Sequence, residues 1–314
     1  MEINDRESLK TEINNLFQNG KCNNVGIFVD FDNIYYGMRE FGINFDSERD
    51  YDVFSLMNDI YGKDHIRTMR AYADYDQVKV TLRLLQENRV QIRNVYGNGQ
   101  KEHNRKNASD IELSIDAIES YYSNKDIDTY VFITADSDMI PVMSRMIYKG
   151  KNVHLFYIGD NLSTHQDMTD YCHLYSDLIK LFEIDTNRRN AEYYRDTAMN
   201  VIASWFERNK NRGTTLGGKW LSDELQDNLF VSIRLASDII EYLKKENLIL
   251  EKTKEDNGSK YYVIKKTEAD DLSEVKEEDI NIDSSKKSEH QEKRQVQGKK
   301  EYSVRNKMRS SNEK

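Results

Sequence analysis

From Val25 to Ile158 short apolar runs alternate with amphipathic stretches, and this alternation constrains the fold more than any other feature of the chain. Val25-Gly-Ile-Phe-Val-Asp30 is a continuous apolar run closed by a carboxylate, the pattern of a strand buried on both faces. Strand-like runs follow at Ile66 to Ala73, Val90 to Val95, Thr129 to Thr134 and Asn152 to Ile158. Helical spacing fills the intervals at Asp52 to Tyr61, Gln77 to Asn88, Ala108 to Tyr122 and Met139 to Tyr148. Strand and helix in turn predict an α/β fold, with a mainly parallel sheet sandwiched by helices. Ligands of such sheets bind beyond the carboxyl ends of the strands, so the residues that close each run come first as site candidates.

The chain has 314 residues, enough for about two domains. We divide it into an N-terminal amphipathic helix in 1–22, the α/β domain in 23–186, a small second domain in 187–266 and a charged tail in 267–314. Leu9, Ile13, Leu16 and Phe17 recur at helical spacing and are expected to pack on the main domain or on a partner. Beyond Asp185 come three helical stretches, Ala191 to Asn209, Gly218 to Asp227 and Ser232 to Glu246. Strand-like Leu248 to Lys252 and Lys260 to Ile264 then flank a turn ending at Gly258, which completes the outline of a winged helix-turn-helix. The tail is poor in apolar residues, acidic from Glu268 to Asp283 and basic thereafter, and is expected to be disordered.

The formal net charge is −9, so no general positive field draws the protein to nucleic acid or lipid, and phosphate binding has to be local. The two cysteines, Cys22 and Cys172, stand in no metal-ligand spacing. They exclude a disulfide scaffold and a cysteine-based zinc site, and they fit a reducing cytosol. The first residues lack the basic start and apolar core of a secretory signal, and no apolar run approaches the roughly 20 residues that span a bilayer. The expectation is a cytoplasmic protein with no membrane segment.

Several aspartates stand out by position. Asp30 and Asp32 close the first strand, and Asp136 and Asp138 follow the Thr129 to Thr134 strand, where Asp138 is placed to cap the next helix and Pro141 falls in its first turn. Asp110 begins another helix, about 100° from an apolar face of Ile111, Ile115 and Ile118, while Asp116 lies farther round. Brought together by parallel strands, Asp30, Asp110, Asp136 and Asp138 would crowd like charges at a cost that a cation offsets. An all-oxygen ligand set suits Mg²⁺ or Mn²⁺, which activates water and stabilises charge on a phosphodiester oxygen.

Val29-Asp-Phe-Asp-Asn33, Lys106-Asn-Ala-Ser-Asp110 with the following Ile-Glu-Leu-Ser-Ile-Asp116, and Ile133-Thr-Ala-Asp-Ser-Asp-Met139 occur in the order and spacing of a known pattern. From about Val25 to Phe182 the chain resembles the NYN domain, a branch of the PIN-like nuclease superfamily with bacterial relatives of the LabA type. Lys149-Gly-Lys-Asn-Val153 also fits the family's approach to its last strand. The resemblance implies a metal-dependent ribonuclease with Asp30, Asp110 and Asp136 as ligands, Asp138 as a ligand or supporting acid, and Asn33 and Thr134 steadying the site. Met139 and Ala135 depart from the usual aromatic and Gly, and neither change removes an acid.

Lys101, Arg105 and Lys106, with His103, supply local positive charge for RNA just before Asp110, on a loop that Gly97 and Gly99 allow to move. Tyr35 and Tyr36 either stack on unpaired bases or pack in the core. The second domain is open to two uses, nucleic-acid binding through its lysine-rich wing or protein contact and homo-oligomerisation. Two other readings of the whole chain stay open: a catalytically silent RNA- or protein-binding adaptor, and a haloacid-dehalogenase-type phosphatase suggested by Asp30-Phe-Asp32. Asn33 and Ile34 stand where that phosphatase family has Thr or Val.

Overall fold

The computed structural model describes residues 1–78, 80, 82–95, 109–159, 167–255 and 258–265. The basic loop with Lys101, Arg105 and Lys106 lies outside the described residues, as does the charged tail. Six parallel strands form the main sheet: β1 (Val25–Asp30), β2 (Ile66–Ala73), β3 (Gln91–Asn94), β4 (Thr129–Ile133), β5 (Asn152–Tyr157) and β6 (Leu174–Asp177), in the order β3-β2-β1-β4-β5-β6. The chain winds outward from β1 to β3 and returns to place β4 against the other side of β1. The switch of winding direction therefore falls between β1 and β4, both buried throughout. β6 is too short and polar for the sequence pattern to reveal, and residues 1–3 bond beside it, through Ile3 N–H to the Tyr175 carbonyl at 3.0 Å.

Helices cover both faces. α1 (Arg6–Gln18) and α3 (Val53–Tyr61) pack together on one face, with Leu9 and Ile13 fully buried in the same core as β1. α2 (Phe31–Arg39) starts directly from β1, and α4 (Leu82–Glu87) is a shorter helix than the sequence spacing predicts. α5 (Ser109–Ser123) and α6 (Ile140–Tyr148) contribute to the opposite core with Phe28, Phe132 and Leu155, and the short α7 (Leu178–Leu181) follows β6.

The buried face of α5 differs from the expected one. Ile111 and Ile115 are 63% and 53% exposed, whereas Ser109, Leu113, Asp116, Ala117 and Ser120 face inward. The reason is a polar anchor: the Asp116 carboxylate accepts from the Tyr72 hydroxyl at 2.8 Å and from Arg93 Nε at 2.9 Å, and Arg70 lies 3.1 Å away. A buried acid with three partners on β2 and β3 sets the rotation of the helix against its isoleucine stripe.

The C-terminal residues build a separate core around Trp205, Leu221, Leu225, Leu235, Ile239 and Leu243. They form α8 (Arg195–Asn209), β7 (Leu216–Gly217), α9 (Gly218–Leu229), α10 (Ile233–Lys245), β8 (Ile249–Thr253) and β9 (Lys260–Ile264), with the strands antiparallel in the order β7-β9-β8. Arg39, at the end of α2, donates to the carbonyls of Gln226, Phe230 and Val231. Phe230 sits at φ 56°, strained for a bulky residue, and Arg39 helps fix that turn. Gly42, at φ +59°, leaves no room for a Cβ beside the Tyr194 hydroxyl, so the two cores meet closely there.

Candidate functional site

The acids collect at the switch of the sheet. Asp30 ends β1 and caps α2, its Oδ1 accepting from the Asn33 N–H at 3.3 Å, which is why the chain turns from strand to helix without a loop. Its Oδ2 accepts from the Thr134 hydroxyl at 3.0 Å, and the same hydroxyl oxygen accepts from the Asp136 N–H at 3.0 Å. Asn33 Oδ1 in turn accepts from the Ala135 N–H at 3.2 Å. Thr134 and Asn33 thus tie the ends of β1 and β4 together. Asp136, rather than Asp138, does the capping after β4: its Oδ1 accepts from the Asp138 N–H at 2.8 Å, and Asp138 is exposed. An acid immediately before the turn reaches its free N–H groups better than one inside it.

Asp110 enters from the first turn of α5. Its Oδ1 is buried with no hydrogen-bond partner, an unusual state for a carboxylate oxygen. Burial, then the charges of Asp136, Asp138 and Asp32, push its pKa up to about 6. Burial and the charge of Asp110 likewise raise Asp30 to about 7. The sequence thus locates all four acids in one electrostatic group. It names Asp32 without giving it a role, and Asp32 belongs here too: it is 7% exposed, accepts from the Ser109 hydroxyl at 2.8 Å and from the Asp74 N–H at 3.2 Å, and has a pKa raised chiefly by burial. The alternating Asp30-Phe-Asp32 at a strand end was the available signal.

Asp30, Asp32, Asn33, Tyr36, Gly37, Glu40 and Asp136 line a cleft of about 370 Å³. A larger groove, about 750 Å³, lies in the C-terminal core between Trp205 and Trp220, where Arg208 is already paired with Glu224 at 2.7 Å. The crowded acids, two of them with raised pKa values, make the smaller cleft the candidate site. Tyr35 is buried against Phe31 and Phe45, as its core reading requires, and Tyr36 is half-exposed at the cleft. Among the histidines, His154 bonds Tyr61, His65 stacks on Phe17, and His173 accepts from the Val153 N–H, all away from the acids. In the β8–β9 hairpin Glu251 pairs with Lys260, and also with Lys244 from α10, so part of the positive charge there is answered internally.

The residues fit a hard divalent cation in donor type and in the orphaned Asp110 oxygen, which a cation would satisfy. Among the described residues no three His, Cys, Asp or Glu side chains converge on one point.

Residues 24–179 match the model of the NYN domain, whose family lies within the PIN-like nuclease superfamily. Among solved structures the chain is similar to a protein of unknown function from Vibrio parahaemolyticus, 20% identical over 50% of this chain and 93% of that one, with a TM-score of 0.40. It is also similar to a chain in the structure of Drosophila ORC bound to AT-rich DNA and Cdc6, 10% identical over 87% of this chain and 94% of that one, with a TM-score of 0.28. Likenesses this distant carry no argument about function, and no curated protein matches the chain. The strand order, the acids at the β1–β4 switch and the family match agree: across residues 24–179 the chain belongs to the NYN domain family.

Proposed function

We propose that the protein is a metal-dependent endoribonuclease of the cytoplasm, hydrolysing RNA phosphodiester bonds with Mg²⁺ or Mn²⁺ and leaving a 5′-phosphate. The observation that carries this reading is the Asp110 carboxylate, with one oxygen out of water and unpaired among like charges. A resident cation would lower the pKa of a bound water and offset negative charge growing on the phosphate. Asp110 and Asp136 are the residues to hold it, with Asp30 beside them and Asp138 supporting from the rim. Asp136 Oδ1 accepts from the Asp138 N–H, which fixes the carboxylate and leaves it acceptor capacity for a ligand. Thr134 bonds both Asp30 and the Asp136 backbone and holds the spacing of the two acids. Lys101, Arg105 and Lys106 supply the phosphate contacts that the acid cleft lacks, and the C-terminal winged-helix domain recruits RNA or a partner protein.

The test is cleavage of end-labelled single-stranded RNA by wild type and by Asp136→Asn, with Mn²⁺, with Mg²⁺ and with EDTA. Wild type should cleave with a metal only, and Asp136→Asn should lose at least about 100-fold in rate while melting as wild type does. RNA retained on a native gel without cleavage in either metal would replace the nuclease by a binding adaptor.

A further inference from the structure

We infer that Tyr36 is a stacking platform for an unpaired nucleobase next to the phosphate held at the acids. The inference rests on the nuclease reading for its phosphate, and on independent geometry for its base.

Tyr35 and Tyr36 are neighbours on α2 with opposite fates. Tyr35 is 3% exposed, while Tyr36 is 47% exposed and lines the acid cleft. The two rings meet edge to face, at 5.3 Å between centroids and 83° between planes. Tyr35 is itself gripped by Phe31, by Phe45 and by the Arg39 guanidinium 5.9 Å from its ring centre. Tyr36 is therefore braced by a fixed ring and presents apolar area to the cleft without the ordering cost of a loose side chain. Its position, one helical turn beyond Asp32 and Asn33, puts it beside the acids rather than among them. Gly37, the next cleft residue, adds no side chain to the same wall.

The charge of the cleft supplies the second half of the argument. Among the described residues its lining contains Asp30, Asp32, Asp136 and Glu40 and no Lys or Arg. A strand entering here gains nothing from ion pairing with these side chains, so a contact indifferent to charge is what this wall can add to its grip. A nucleobase face on an aromatic ring is such a contact, and it is open only to a base that has left its helical partner.

The experiment uses the full chain with Mn²⁺ and a short single-stranded RNA, compared with strands carrying one abasic position at each site in turn. In wild type one abasic position should raise KM by roughly 5- to 150-fold, the range that one base–aromatic stack supplies. Tyr36→Ala should show a rise of similar size on the intact strand, with no further penalty from the abasic site, and kcat should move less than KM. Tyr36→Phe and Tyr36→Trp should restore KM. The half-exposed position lets the truncation fold, which a thermal melt verifies. A KM for Tyr36→Ala within twofold of wild type, or an abasic penalty that persists in Tyr36→Ala, overturns the inference. If wild type cleaves nothing, the nuclease reading fails, and the same comparison read as Kd decides Tyr36 separately: Tyr36-dependent preference for the base-bearing strand keeps it, and equal affinities overturn it.

Discussion

Asp110 and Asp116 lie less than two turns apart on one helix and lead opposite lives. Asp116 is answered by the protein itself, through Tyr72, Arg93 and Arg70. Asp110 has a buried oxygen with no partner, and acids as its charged company. An acid whose charge is neutralised inside the fold holds the fold together. An acid left uncompensated beside others of its sign is tolerated only where something from outside completes it. The helix thus carries a structural and a functional carboxylate side by side, and counting acids could not separate them.

The largest effect that can break this contrast is on the structural side. Asp116→Ala leaves two arginines and a buried tyrosine hydroxyl without their acceptor, and should lower stability by about 3 kcal/mol, read as a shift of the urea midpoint at constant slope. Asp110→Ala removes an unsatisfied group and should cost less than about 1 kcal/mol. Equal losses for the two substitutions would show that Asp110 is as well satisfied as Asp116.

The same contrast explains what the sequence could and could not disclose. The strands β1, β4 and β5 are legible because each is dominated by apolar and β-branched residues with a clear end, β2 is legible although Arg67 and Arg70 interrupt its apolar residues, and the acids at the ends of β1 and β4 stand out against those runs. α2 carries a similar signal that is harder to separate: Phe31, Ile34, Tyr35 and Met38 have helical spacing, and all are buried, but the helix follows β1 with no loop to announce it. The face of α5 was misjudged because Asp116 is inside and Ile111 outside, an inversion that depends on arginines from β2 and β3. Local periodicity carries no information about such cross-chain pairing. The role of Asp32 depended likewise on Ser109 and Asp74, which only the fold brings to it.

A smaller effect sharpens the functional side through pH. Burial and the Asp110 charge hold Asp30 at about 7 in the folded chain, against 3.8 for an ordinary aspartate. The folded state therefore binds a proton that the unfolded state has released, and wild-type stability falls as pH rises between about 4 and 7 and stays lost above that. Asp30→Asn carries no charge to bury, so without divalent ions it should be more stable than wild type by about 1–2 kcal/mol at pH 8, with the gap closing as pH falls toward 4. A gap of the same size at both ends of that range would mean that the Asp30 charge is not what the fold resists.

The smallest effect joins both halves. A cation that completes the acid group binds the folded chain and not the unfolded one, so Mg²⁺ or Mn²⁺ at about ten times its Kd should stabilise wild type by about 1.4 kcal/mol, a rise of about 3–5 °C in melting temperature that EDTA reverses. Asp110→Asn should lose most of that rise, because its amide replaces the unpaired oxygen with a neutral and weaker ligand. Asp116→Asn starts from a lower melting temperature and should keep the rise in full, since its partners are arginines and a tyrosine that no ion displaces. An ion-induced shift that vanishes in both variants would place the cation's influence across the whole helix, and the division of labour between its two aspartates would not survive.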